Sequence, residues 1–178
     1  MHPLLRKLQG GDQRSLGRAV EVISEVQGEP ELFAVLFDGM LGSDPVIRMR
    51  CADVAEKVSA SHPEYLQPYK DILLTHLARE TQRQLRWHVA PMLARLQLGA
   101  EEQKHVVSLL LGYLTDSSSI VKTLAMQALA DLATRDQALR PVVLLHLQEL
   151  VVTGTPAMKA RGKKLLRNLA RCRETPDS

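Results

Sequence analysis

Leucine recurs at Leu36, Leu73, Leu110 and Leu147, each 37 residues after the last, and a period of that length constrains the fold more than any other feature of the chain. Met40, Leu77, Leu114 and Val151 repeat at the same step, one helical turn further on, and Leu32, Tyr69, Val106 and Val143 lie one turn before. An i, i+4, i+8 stripe of apolar residues is the buried face of a short amphipathic helix. A second ladder follows each first helix, set by Ile47, Leu85, Val121 and Met158. Counting on from it gives Cys51, Val89, Ala125 and Gly162, then Val54, Met92, Ala128 and Leu165, then Val58, Leu96, Leu132 and Leu169. The small or compact step is where two helices can approach closely.

The same template, run backwards, fits Ala19, Val22 and Val26, with Ser15 in place of the first apolar residue. It predicts a fifth, irregular pair at the amino end, with a short helix over Met1 to Gln9 and a turn at Gly10-Gly11-Asp12. Ser43-Asp44-Pro45, Asp116-Ser117-Ser118-Ser119 and Thr155-Pro156 supply caps or first-turn prolines for the second helices. Gly28, Gly42, Gly99 and Gly154 stand near expected helix ends. Pro91 falls inside a helix and is expected to kink it. Aromatics make up only 3% of the chain, which disfavours sheets.

The string Ser43-Asp44-Pro45-Val46-Ile47-Arg48-Met49-Arg50-Cys51-Ala52 resembles the turn and second-helix start of HEAT repeats, with weaker copies at Leu85-Arg86, Val121-Lys122 and Met158-Lys159. The resemblance implies an all-α fold, a right-handed α-α superhelix or α-solenoid of about five antiparallel helix pairs, with the second helices lining the concave side. The expected organisation is one domain over 1–178, with pairs near 1–27, 28–62, 63–99, 100–139 and 140–173 and a short disordered tail at 174–178. Each such unit buries its stripe only against its neighbours, so the two ends need polar covers.

Charge is unevenly shared between the two kinds of helix. The second-helix segments hold 17 of the 23 lysines and arginines, and the first-helix segments with their turns hold 11 of the 20 acids. If the second helices line a groove, it is positive and draws an acidic partner. The candidate contacts are Arg48, Arg50, Arg86 and Lys122, then Lys159, Lys163 and Arg167 in the last helix, where seven cations and no acid lie between Ala157 and Arg173. Two other readings stand beside this one: the basic residue of each repeat pairs with an acid in a neighbouring turn, and the last helix is a solubilising cap. Trp87, between Arg86 and His88, is either an interface anchor or a filler beside Pro91.

Motifs for catalysis are absent. The six histidines show no metal-ligand spacing, and there is no Cys-x-x-Cys, calcium loop, phosphate loop or Gly-x-Ser-x-Gly elbow. Glu102 with His105 and His146 with Glu149 read as ordinary surface pairs. No cofactor is expected. Cys51 falls at a core position and reads as a buried free thiol, unpaired with Cys172. With no signal-peptide pattern and no apolar run of membrane-spanning length, a cytoplasmic protein is expected. The expected function is a non-catalytic scaffold or interaction module gripping an acidic or extended protein segment. The alternative is a nucleic-acid binder resembling HEAT-like alkylpurine DNA glycosylases.

Overall fold

A computed structural model describes residues 1–10 and 17–171. The predicted turn residues Gly11 and Asp12, Ser15, Cys172, Arg173 and the tail 174–178 lie outside the described residues. Among the described residues every regular element is helical, and none is a strand. The chain forms two compact units, Met1–Gln97 and Leu98–Ser178.

The first unit contains α1 (Pro3–Lys7), α2 (Ala19–Gly28), α3 (Phe33–Leu41), α4 (Pro45–Ser61), α5 (Lys70–Thr75) and α6 (Arg83–Arg95). Its main packings are α3 on α4, α4 on α6 and α2 on α4, so α4 is the central helix. The second unit contains α7 (Ala100–Tyr113), α8 (Ser119–Arg135), α9 (Arg140–Thr153) and α10 (Pro156–Arg171). Here α9 packs on α10, α10 on α8, and α7 on α8.

The ladders supply much of the core, although Leu32, Tyr69 and Val151 of the first are only half-buried. Leu36, Leu73, Leu110 and Leu147 are buried, as is every rung of the second ladder from Ile47 to Leu169. Each such leucine withdrawn from water contributes about 1.5–3 kcal/mol before the entropy of ordering is charged against it. The small step does what its size predicts. A Cβ on Gly162 would lie 2.6 Å from Val151 Cγ2 on α9 and 3.1 Å from Met126 Cε on α8. At the corresponding Cys51 the close neighbour is Gly39 on α3, where an added Cβ would overlap the sulfur and Leu5 of α1.

Caps form where the punctuation predicts them. Asp44 Oδ1 accepts from the amides of Val46 (2.8 Å) and Ile47 (3.1 Å), Ser118 Oγ from that of Val121, and Thr155 Oγ1 from that of Met158. Two details differ from the simple repeat. The first half of the third pair is a 3-10 stretch, Pro63–Tyr69, the short α5, and a second 3-10 turn, Leu77–Arg79. Pro68 has no amide hydrogen to donate, which works against a regular α-helix there. The scarce aromatics gather against that segment: Phe37 stacks on Tyr69 at 4.0 Å and Phe33 meets Tyr65 edge-on at 5.6 Å. The helical stretch of α6 continues on both sides of Pro91.

Candidate functional site

In the first unit most cations of the second helices, Arg48, Arg50, Lys57, Arg86 and Arg95, are bonded within the fold, while Arg83 on α6 is exposed. Arg50 corrects the sequence reading most sharply: it is a fully buried side chain of α4, not a partner contact. Its Nη1 donates to the carbonyls of Leu8 and Gly10, each at 2.6 Å. Leu8 is the C-cap of α1, where helix geometry leaves acceptors without donors, and Gly10 lies two residues beyond it. Arg50 therefore tethers the amino-terminal helix. Lys7, on the same helix, is held by Glu25 and Glu21 of α2, and these bonds raise its pKa.

Arg48 donates from Nε to the Met40 carbonyl (2.9 Å), and its Nη2 lies 2.8 Å from Glu80 Oε1. Arg86 donates from Nε to the backbone carbonyl of the same Glu80. The pairing with a neighbouring-turn acid thus occurs, through Glu80; Asp44 is taken up as the α4 cap. Trp87 is half-buried on α6 and is not free of internal interactions.

Between α4 and α6 lies a polar cluster that spacing did not reveal. Arg95 Nη2 meets Glu56 Oε1 at 2.6 Å, and its Nη1 donates to Ser59 Oγ at 2.9 Å and to the Glu56 carbonyl. Lys57 Nζ meets Asp53 Oδ2 at 2.7 Å, and His88 Nε2 stands 4.0 Å from Asp53 Oδ1. Burial lowers the His88 pKa, against the opposing pull of Asp53 and Glu56. Burial also pushes the Cys51 thiol up to about 12, so no reactive thiolate is available there. A shallow hollow of about 270 Å³ is lined by Thr75, His76, Arg79, Glu80 and Thr81, but its carboxylate is already engaged by Arg48.

The second unit treats its cations differently. Met158, Gly162, Leu165 and Leu169 form the buried ridge of α10. Lys163, Lys164, Arg167 and Arg171 are exposed and Lys159 is half-buried. Among the described residues none of these five has a carboxylate within ion-pair distance, and the same holds for Lys122 on α8. Arg161 alone is used internally, donating from Nη1 to Gln127 Oε1 on α8 at 2.7 Å. The two surface pairs divide: His146 and Glu149 stand 3.9 Å apart, whereas Glu102 caps α7 by accepting from the Gly99 amide at 2.7 Å.

Of the eight residues singled out from sequence, the structure thus brings Lys159, Lys163 and Arg167 together on one free face, with Lys122 on the neighbouring α8. Arg48, Arg50 and Arg86 belong to the internal bonding of the first unit. No helix among the described residues is long and apolar enough to cross a membrane.

No family model and no curated protein matches the chain. Among solved structures it is similar to the crystal structure of an engineered protein, at 19% identity and a TM-score of 0.65, over 95% of this chain and 78% of that one. At that identity the likeness speaks to the fold alone.

Proposed function

We propose that the protein is a non-catalytic interaction module of the HEAT-repeat type, binding an acidic protein surface or extended acidic segment through the cationic face of α10. The reading of the chain as a right-handed α-α superhelix of HEAT-type pairs is part of this proposal. It draws on one hydrophobic register running through both units. A cytoplasmic setting belongs to the same reading.

The observation that carries the binding reading is the contrast between the bonded arginines of α4 and α6 and the run of cations on α10. Cations that merely hold a fold together find acceptors within it, as Arg48, Arg50, Arg86 and Arg95 do. Five on α10 do not, among the described residues. Lys159 to Arg171 spans about 18 Å at 1.5 Å per residue, a short track suited to a carboxylate-bearing segment. Within the first unit Arg48, Arg50 and Arg86 are already engaged.

The test is a titration of labelled polyglutamate peptide and of arbitrary duplex DNA at low and at physiological salt, with wild type and a Lys159→Glu, Lys163→Glu, Arg167→Glu variant. The expected result is peptide binding at physiological salt that the variant weakens by about 10-fold or more, with circular dichroism unchanged. Unchanged peptide affinity in the variant would remove α10 from the account. Duplex bound more tightly than peptide at both salts, with a steep salt dependence, would put the nucleic-acid reading in its place.

A further inference from the structure

Resting on that reading, we propose that the outer flank of α10 is a docking face for an amphipathic helix of a partner protein, one that carries an apolar stripe flanked by carboxylates. The inference comes from comparing residues that occupy the same register in successive second helices. One, four and eight residues past the small step, α4 carries Ala52, Ala55 and Ser59 and α8 carries Met126, Leu129 and Ala133, and one and four residues past it α6, which ends at Arg95, carries Ala90 and Leu93, all of them buried. In α4 this flank receives α6, as the bond from Arg95 to Ser59 Oγ marks. In α8 it receives α10, since Met126 Cε lies against Gly162.

On α10 the same register reads Lys163, Leu166 and Ala170, and here it is open: Lys163 and Ala170 are exposed and Leu166 is half-buried. Lys159 joins them one turn earlier, so the four residues form a continuous i, i+4, i+7, i+11 ridge. The direction of this ridge follows from Arg161, whose bond to Gln127 shows that the other flank of α10 is turned toward α8. On α9 Val151 packs toward Gly162 and is half-buried, as is Leu144, two turns earlier on the same face of α9. The corresponding Met40, Leu77 and Leu114 are buried. The flank thus stays open where the inner helices receive a neighbour, and it carries apolar groups at Leu166 and Ala170, with Val151 close by on α9.

Charge complementarity selects the occupant. Lys163 stands where the inner helices place a buried apolar residue, and Lys159 and Arg167 flank it with no carboxylate partner among the described residues. A helix laid on this ridge must bring carboxylates to three cations, while its apolar stripe covers Leu166. A second copy docking symmetrically would set its own cationic α10 against this one, and like charges oppose that pairing.

The probe is a fluorescein-labelled 18-residue peptide of Leu, Ala and Glu, with leucines at helical i, i+3, i+4 spacing, set against a scrambled peptide of the same composition. Anisotropy reads affinity, and circular dichroism reads helix formation in the bound peptide. The patterned peptide is expected to bind at least about 10-fold more tightly than the scrambled one and to become helical. Ala170→Glu, an exposed position outside the core, and Leu166→Ser should each abolish the preference. Val20→Ser, which alters an exposed apolar residue on α2, should leave it unchanged.

Equal affinity for both peptides would overturn the docking face while leaving the electrostatic reading of α10 in place. Failure of both to bind would overturn the two together. Self-association in sedimentation, reversed by Ala170→Glu, would reassign the face to a second copy and so refute the acidic-helix occupant.

Discussion

Replacing Arg50 by Met keeps an unbranched side chain of similar reach in the α4 core but removes the guanidinium that holds the end of α1. Among the described residues two charge-assisted bonds are lost, to Leu8 O and Gly10 O. Bonds to a charged donor contribute about 1.5–3 kcal/mol each. Leu8 is fully buried, so its carbonyl is left without a donor, whereas the exposed Gly10 regains water. Removing a buried charge recovers part of the loss, because the guanidinium no longer has to be desolvated. The balance is a destabilisation of about 2–4 kcal/mol. For a chain of this size that corresponds to a fall in Tm of about 4–16 °C. Calorimetry measures it, and amide exchange should show the Arg18 amide, bonded to the Lys7 carbonyl, losing protection first. Arg50→Lys, with one ammonium in place of the fork, should fall between wild type and Arg50→Met. A Tm within 2 °C of wild type would refute the tether. So would a loss of acidic-peptide binding without loss of stability, since that would return Arg50 to the surface role its sequence position suggested.

Gly162→Ala gains about 1 kcal/mol of helix propensity, but its Cβ must displace Val151 and Met126, an overpacking that costs about 1–3 kcal/mol. The variant should therefore be less stable in urea, while Gly112→Ala on α7, where nothing lies within 4 Å of the new Cβ, should be more stable. A stabilised Gly162→Ala would mean that α9 and α10 do not approach this closely. His88 has a folded-state pKa below its ordinary 6.5 because burial opposes its charge. The unfolded chain therefore binds the proton more readily, and stability is lost as pH falls through 6.5 toward the depressed value. Urea midpoints at pH 7.5 and 5.5 should differ less in His88→Gln than in wild type, and an identical pH difference in the two would contradict the buried neutral imidazole.

The core was legible because it depends on local spacing. Leu36, Leu73, Leu110 and Leu147 share a register, and a helix turns such residues to one side whatever lies beyond it. Even Gly162 could be read as a close-approach position, although its counterpart at Gly39 could not, because that glycine belongs to the facing helix and has no period of its own. The first half of the third pair reads from sequence as one helix, since Tyr69, Leu73 and Leu77 keep the stripe even where Pro68 accompanies a 3-10 course.

The fate of the cations was not legible, and the reason is geometric. Arg48, Arg86, Lys122 and Lys159 occupy one register, yet the first two end on Glu80 and the last two meet no carboxylate among the described residues. Long side chains reach acceptors several ångströms from their own backbone, so their partners are set by which turn happens to pass nearby. Arg50 and Glu80 are separated from their partners by 42 and 32 residues, and no local pattern encodes such a meeting. The same reasoning explains why α10 is where a function can reside. In the inner helices the flank at Ala52, Ala90 and Met126 is consumed by packing, and a charge placed there would be buried without a partner at a cost of several kcal/mol. Only a helix whose flank stays open can carry Lys163 in that register without this penalty. A lysine there is tolerated as a cap, but Leu166 and the half-buried Val151 beside it add nothing to solubility. Apolar floor and unpaired cation together are what separate a docking face from a mere cover.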